Sequence, residues 1–200
     1  MTTRRRNRRV HIGILLAGGL VGLSACGGGD PLNNPPLVVN SAGASSQTLS
    51  FDYFQHCIDP IFLAKLPDPV NGGATTNTCA ASGCHDNVSG RGAAFRIVPG
   101  AAIVDLSANT PMTSRTTDMY KNFFSAEGEV IIGSPSLSLL INKPLLRTVL
   151  HGGGLIFPDA SDPNVRKMEF WISNPMPQGL DEFGTAPGIY DPSTGVCNSN

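Results

Sequence analysis

"TCAASGCHD", residues 78–86, decides how the rest of the chain is read. Cys79 and Cys84 enclose four small or polar residues, and His85 follows the second cysteine directly. Three chemistries use such a cluster. Two thiols can add across the two vinyl groups of a haem while an imidazole just beyond them reaches its iron. The customary spacer for that is two residues, and here it is four: Ala80, Ala81, Ser82 and Gly83. Small residues ending in glycine let the longer loop bulge without striking a porphyrin. The same thiols could instead close a small disulfide loop, or join a zinc site, which would need further ligands and reduced sulfur.

The compartment bears on that choice. Arg4, Arg5, Arg6, Arg8 and Arg9 precede an apolar stretch, Val10 to Ala25, that is too short and too glycine-rich for a spanning helix. It ends in Leu23-Ser24-Ala25-Cys26, which resembles a bacterial lipobox with Cys26 as the lipidated residue. The alternative is an ordinary secretory signal followed by a chance cysteine. Gly27 rather than aspartate follows Cys26, which by resemblance to Gram-negative sorting points to the outer membrane, facing the periplasm or the cell surface. Loss of the five signal arginines leaves 9 Lys+Arg against 15 Asp+Glu, a formal charge of −6. An acidic chain of this kind offers no surface for nucleic acid.

An exported protein lives in oxidising surroundings, where free thiols are uncommon. With Cys26 given to lipid, Cys57, Cys79, Cys84 and Cys197 remain. If Cys79 and Cys84 hold haem, Cys57 and Cys197 are left as a disulfide pair; otherwise three connectivities are open.

Residues 1–25 read as the signal peptide, and 26–50, rich in Gly, Pro, Asn and Ser, as a lipidated flexible tether. A single domain is expected over 51–183, followed by an irregular tail over 184–200. The expected class is mostly α, with extensive loops. Phe51, Phe54, Ile58, Ile61 and Phe62 keep helical spacing, interrupted at Pro60. Further helices are expected over 114–125, over "SPSLSLLINKPLL" from Pro135, and over 162–173 behind an Asp162 or Ser161 cap. "AAFRIV" reads as a strand or merely extended chain.

The order of these pieces resembles a widespread family of bacterial periplasmic cytochrome c-like domains. The shared features are Pro60-Ile61-Phe62, the Cys-Cys-His element, Tyr120 on a short helix, then Val130, Gly133, Pro135, Ser138 and Leu140, and finally Trp171-Ile172. The resemblance spans roughly residues 53 to 175. It departs from the family in the four-residue spacer and in the long loop between Phe62 and Cys79. It implies a small cytochrome c-like helical domain around one covalent haem c, with thioethers to Cys79 and Cys84 and His85 as the proximal iron ligand.

For the sixth ligand, His151 precedes three glycines that would let backbone pass close to a porphyrin edge. Related domains carry a similar His-Gly-Gly element before their Trp-Ile helix. A partly exposed loop histidine is the plainer alternative. Met112, in the polar stretch "NTPMTSR", is the methionine alternative; His56, Met119, Met168 and Met176 are weaker rivals. Arg96 could meet a haem propionate or simply be solvated. Two imidazoles would hold the potential lower than a His/Met pair. "HGGG" also looks like an esterase oxyanion loop, but no G-x-S-x-G turn accompanies it.

The expected function is a membrane-anchored electron carrier, working alone or as a subunit of an oxidoreductase, with a redox partner protein that the sequence does not identify. The alternatives are a five-coordinate haem protein with peroxidase or gas-sensing activity, and a haem-free surface lipoprotein stapled by disulfides.

Overall fold

Pro60 shapes the first element. A helix from Phe51 onward meets a proline that has no N–H to give the carbonyl four residues back. The computed structural model, which describes residues 47–70, 72 and 78–200, meets this by widening the helix. α1 (Phe51–Tyr53) runs into a π-helical turn over Phe54–Ile58, where the Asp59 N–H reaches the Phe54 carbonyl five residues back. α2 (Asp59–Leu63) then restarts with Pro60 in its first turn. Ser50 caps the start through its hydroxyl, which accepts from the Tyr53 N–H at 3.2 Å. Cys26 and the signal segment lie outside the described residues, as do residues 73–77 of the loop before Cys79.

The other helices are short. α3 (Pro111–Ser114) is one turn, capped by Thr110. α4 (Asp118–Glu127) starts four residues later than the sequence suggests, because Thr117 supplies the cap, accepting from the Tyr120 N–H. The expected helix after Pro135 divides into a 3-10 turn over Pro135–Leu137 and the single turn of α5 (Leu139–Asn142), before Pro144. α6 (Pro163–Ser173) has its Asp162 cap, whose carboxylate accepts from the Asn164 N–H at 2.8 Å. "AAFRIV" begins in a turn at Ala93 and Ala94, with Ala93 at φ +58°, and only Phe95 to Val98 run on as non-helical chain carrying one bridge, Ile97 to Asp86. Loops thus make up more of the domain than the helical periodicity suggests. None of the helices among the described residues is long and apolar enough to cross a membrane.

α1 and the π turn pack on α4 and α6 through aromatic rings. Phe54 lies 5.5 Å, centre to centre, from both Phe123 and Trp171, and Phe51 meets Phe123 edge-on at 5.5 Å. All four are fully buried. Burying each contributes about 1.5–3 kcal/mol relative to exposure. The Trp171 Nε1–H donates to the Ser50 carbonyl at 3.0 Å, so the last helix is tied to the residue that starts the first.

The folded region exceeds both boundaries drawn from composition. Leu49 is already wholly buried, and Ala186 and Ile189 lie in the core beyond Phe183. The tail is also not irregular throughout. β1 (Tyr190–Asp191) pairs antiparallel with β2 (Val196–Cys197), Tyr190 opposite Cys197. Cys57 and Cys197 are joined by a disulfide that closes 140 residues of chain. Tyr190 stacks on His56 at 4.6 Å, and the Tyr53 hydroxyl donates to the Asn198 carbonyl.

Candidate functional site: two thiols and two imidazoles on one cavity

The Cys79–Cys84 loop hangs from the end of α2, where the Ala80 N–H donates to the Phe62 carbonyl at 3.1 Å. Inside it the Cys84 N–H reaches the Ala81 carbonyl at 3.0 Å and the His85 N–H reaches that of Cys79 at 2.9 Å. Gly83, at φ +84°, makes the reversal that a side chain would resist. The four-residue spacer is therefore a compact double turn. Cys79 and Cys84 are both free thiols, not joined to each other. Burial, with Cys84 close by, pushes the Cys79 thiol up to about 11, so it is protonated at neutral pH.

His85 is held from behind. Its Nδ1–H donates to the Phe95 carbonyl at 3.0 Å, and the Phe95 ring packs on the imidazole at 4.7 Å. The Phe95 segment is itself fixed: the Ile97 N–H donates to the His85 carbonyl at 2.7 Å. Asn122 on α4 accepts from the Val98 N–H at 2.7 Å and donates to Asp59 at 2.9 Å. Burial lowers the His85 pKa, which the Phe95 bond partly opposes. A neutral ring that donates through Nδ1 presents a lone pair at Nε2.

His151 repeats the device on the far side. Its carbonyl accepts from the Gly154 N–H and its Nδ1–H donates to the Gly154 carbonyl, both at 2.9 Å. Gly154, at φ +75°, closes this turn. The Ile156 N–H, donating to the Pro144 carbonyl at 2.8 Å, ties the glycine loop to the end of the α5 region. The two imidazole centres are 6.2 Å apart and their planes differ by 9°.

Cys79, Cys84, His85 and His151 all line one cavity of about 930 Å³, at the large end of the range of about 300–1,000 Å³ usual for ligand sites. Its apolar wall includes Phe62, Phe95, Leu140, Phe157 and Met168. Its charged lining is Asp68, Arg91, Glu129 and Lys143, the last two paired at 3.1 Å.

The spacing of the rings tests what could sit between them. Metal–imidazole bonds run about 2 Å, so two in line, with roughly 1 Å from each nitrogen to its ring centre, put the centres about 6 Å apart. A tetrahedral zinc would draw them in to about 5 Å. Among the described residues, no three of His, Cys, Asp and Glu cluster tightly enough to hold a bare metal ion. Two thiols beside one imidazole, with a second, nearly parallel imidazole 6.2 Å away, suit the donor set of a haem better than that of a zinc ion.

The remaining candidates lie elsewhere. Met112 is 79 % exposed on α3 and Met119 is buried in the aromatic core. Met176 is buried under the tail, against Gly184, and His56 belongs to the tail contact. Arg91 and Lys143 reach the cavity, whereas the Arg96 guanidinium lies against Gly90. The glycine that backs His85, Gly92, carries no sequence signal of its own. Compared with family models, with curated proteins and with solved structures, the chain matches none.

Proposed function

We propose that the protein is a single-haem c-type cytochrome, held to a membrane by lipid on Cys26, that passes one electron at a time between redox partners. The observation that carries this reading is the facing pair of imidazoles, each with Nδ1 committed to a carbonyl and the two centres 6.2 Å apart beside two free thiols. Haem supplies reversible one-electron chemistry when bound. Cys79 and Cys84 would hold it by thioethers, each formed as a thiol S–H adds across a vinyl C=C, so that no redox co-reactant is needed. His85 and His151 would bind from opposite sides through Nε2, their orientation fixed by the Phe95 and Gly154 carbonyls. With an imidazole from each of two loops available to hold the iron, the site would favour electron transfer over peroxide or gas chemistry.

The test is expression with the cytochrome c maturation machinery, followed by a peroxidase-activity stain on a denaturing gel. A stained band whose intact mass carries one haem, lost in the Cys79→Ala/Cys84→Ala double variant, is expected. An unstained parent band would leave only the disulfide-stapled lipoprotein. His151→Ala is expected to keep the stain and turn the ferric spectrum from low-spin to high-spin, with ready cyanide binding. A high-spin parent would instead favour the five-coordinate reading.

A further inference from the structure

Gly92 and Gly153 each press a backbone against one of the two imidazoles. A Cβ built on Gly92 would fall on Nδ1 and Cε1 of His85, well inside contact distance, and 2.9 Å from its Cγ. A Cβ on Gly153 would stand 3.0 Å from Cε1 of His151. Neither glycine is at positive φ, so backbone conformation does not call for glycine at either place. Close approach to the ring does.

We propose that Gly92, and more weakly Gly153, are positioning residues that set the planes of the two iron-binding imidazoles parallel. This rests on the haem reading of the same site. Behind His85 the backbone is anchored. The Arg91 and Gly92 N–H groups both donate to the Cys84 carbonyl at 2.8 Å, which pins the backbone that carries Gly92. The imidazole lies against that backbone, packs on the tilted Phe95 ring and is tethered at Nδ1. A methyl group at residue 92 therefore turns the ring and breaks its bond to the Phe95 carbonyl. At residue 153 the contact is tight rather than forbidden, and a few tenths of an ångström relieve it. The 9° between the ring planes is the result of these two stops acting together with the two carbonyls.

The test compares mature haem-loaded Gly92→Ala, Gly153→Ala and Gly100→Ala by intact mass and by electron paramagnetic resonance of the ferric form. Gly100 is the control, because a Cβ there meets nothing within 4 Å. Gly92→Ala is expected to keep covalent haem yet lose the parent low-spin signal from most molecules. They should move to a second low-spin species or to high spin, and added imidazole should return the high-spin fraction to low spin. Gly153→Ala should shift the signal in a minority of molecules, and Gly100→Ala should leave it unchanged. If Gly92→Ala does not accumulate folded, Gly153→Ala against Gly100→Ala decides, and identical spectra overturn the proposal. So does a haem-loaded Gly92→Ala with the parent signal. A parent without haem sinks the function itself, an outcome distinct from a haem-loaded parent with a silent Gly92→Ala.

Discussion

Phe54, Phe123 and Trp171 are fully buried with ring centres 5.5–6.1 Å apart, whereas His85 and His151, at nearly the same separation of 6.2 Å, line a cavity of about 930 Å³. The first group is held by ring packing among three helical elements. The second is held by hydrogen bonds from loops: the Phe95 carbonyl on one side, the Gly154 carbonyl on the other, and the Asp59–Asn122–Val98 strut behind. Close-packed rings make a platform, and polar loop contacts aim particular nitrogens from it. The lesson is a division of labour. Stability is concentrated around Trp171, and orientation around His85.

That division can be broken most severely at the platform. Trp171→Ala removes a fully buried indole and is expected to cost about 3–5 kcal/mol in denaturant unfolding, enough to threaten folding. Next comes the staple between the tail and the first helix. Replacing Cys57 and Cys197 by serine opens a 140-residue loop and is expected to cost about 2–5 kcal/mol, read from urea midpoints under non-reducing conditions. A smaller loss, about 1 kcal/mol, is expected for Asp162→Ala, which removes the α6 cap.

The smallest effect concerns pH. Burial raises the Asp59 carboxyl above its ordinary range, against the pull of the Asn122 hydrogen bond, and burial does the same for Glu127. A folded-state pKa above the unfolded one means that the folded chain holds its proton longer. The stability this contributes is complete below the unfolded value of about 4 and is lost as pH rises through the folded value. The Asp59 part, read as the difference in denaturant midpoint between the parent and Asp59→Asn, should therefore fall as pH rises above about 4, while the lowered His85 pKa acts in the opposite sense nearer neutrality. A difference that grows with pH, or does not change with it, would exclude a role for Asp59.

Much of the platform was legible in the sequence, because it rests on local rules. The stripe Val165, Met168, Trp171 and Ile172 behind Asp162 gave α6, and the apolar spacing from Phe51 gave the first helix. The π turn was not legible, since proline marks an interruption without saying how the backbone resolves it. The order in the tail is hidden in the sequence because Gly, Pro and Ser signal turns, and Tyr190 acquires its role only by stacking on His56, 134 positions earlier. At the site, His85 and His151 could be named from residue type and neighbouring glycines. Their partners could not. Carbonyls are present at every residue, so nothing marks those of Phe95 and Gly154 as special. Gly92 looks like any loop glycine until the His85 ring lies against it.

Whether His85 and His151 would both hold one iron is read in the ferric visible spectrum of the purified, matured protein. A Soret band with low-spin features, unchanged by added imidazole, is the expected result. A colourless protein, or a high-spin spectrum that imidazole converts to low spin, would contradict it.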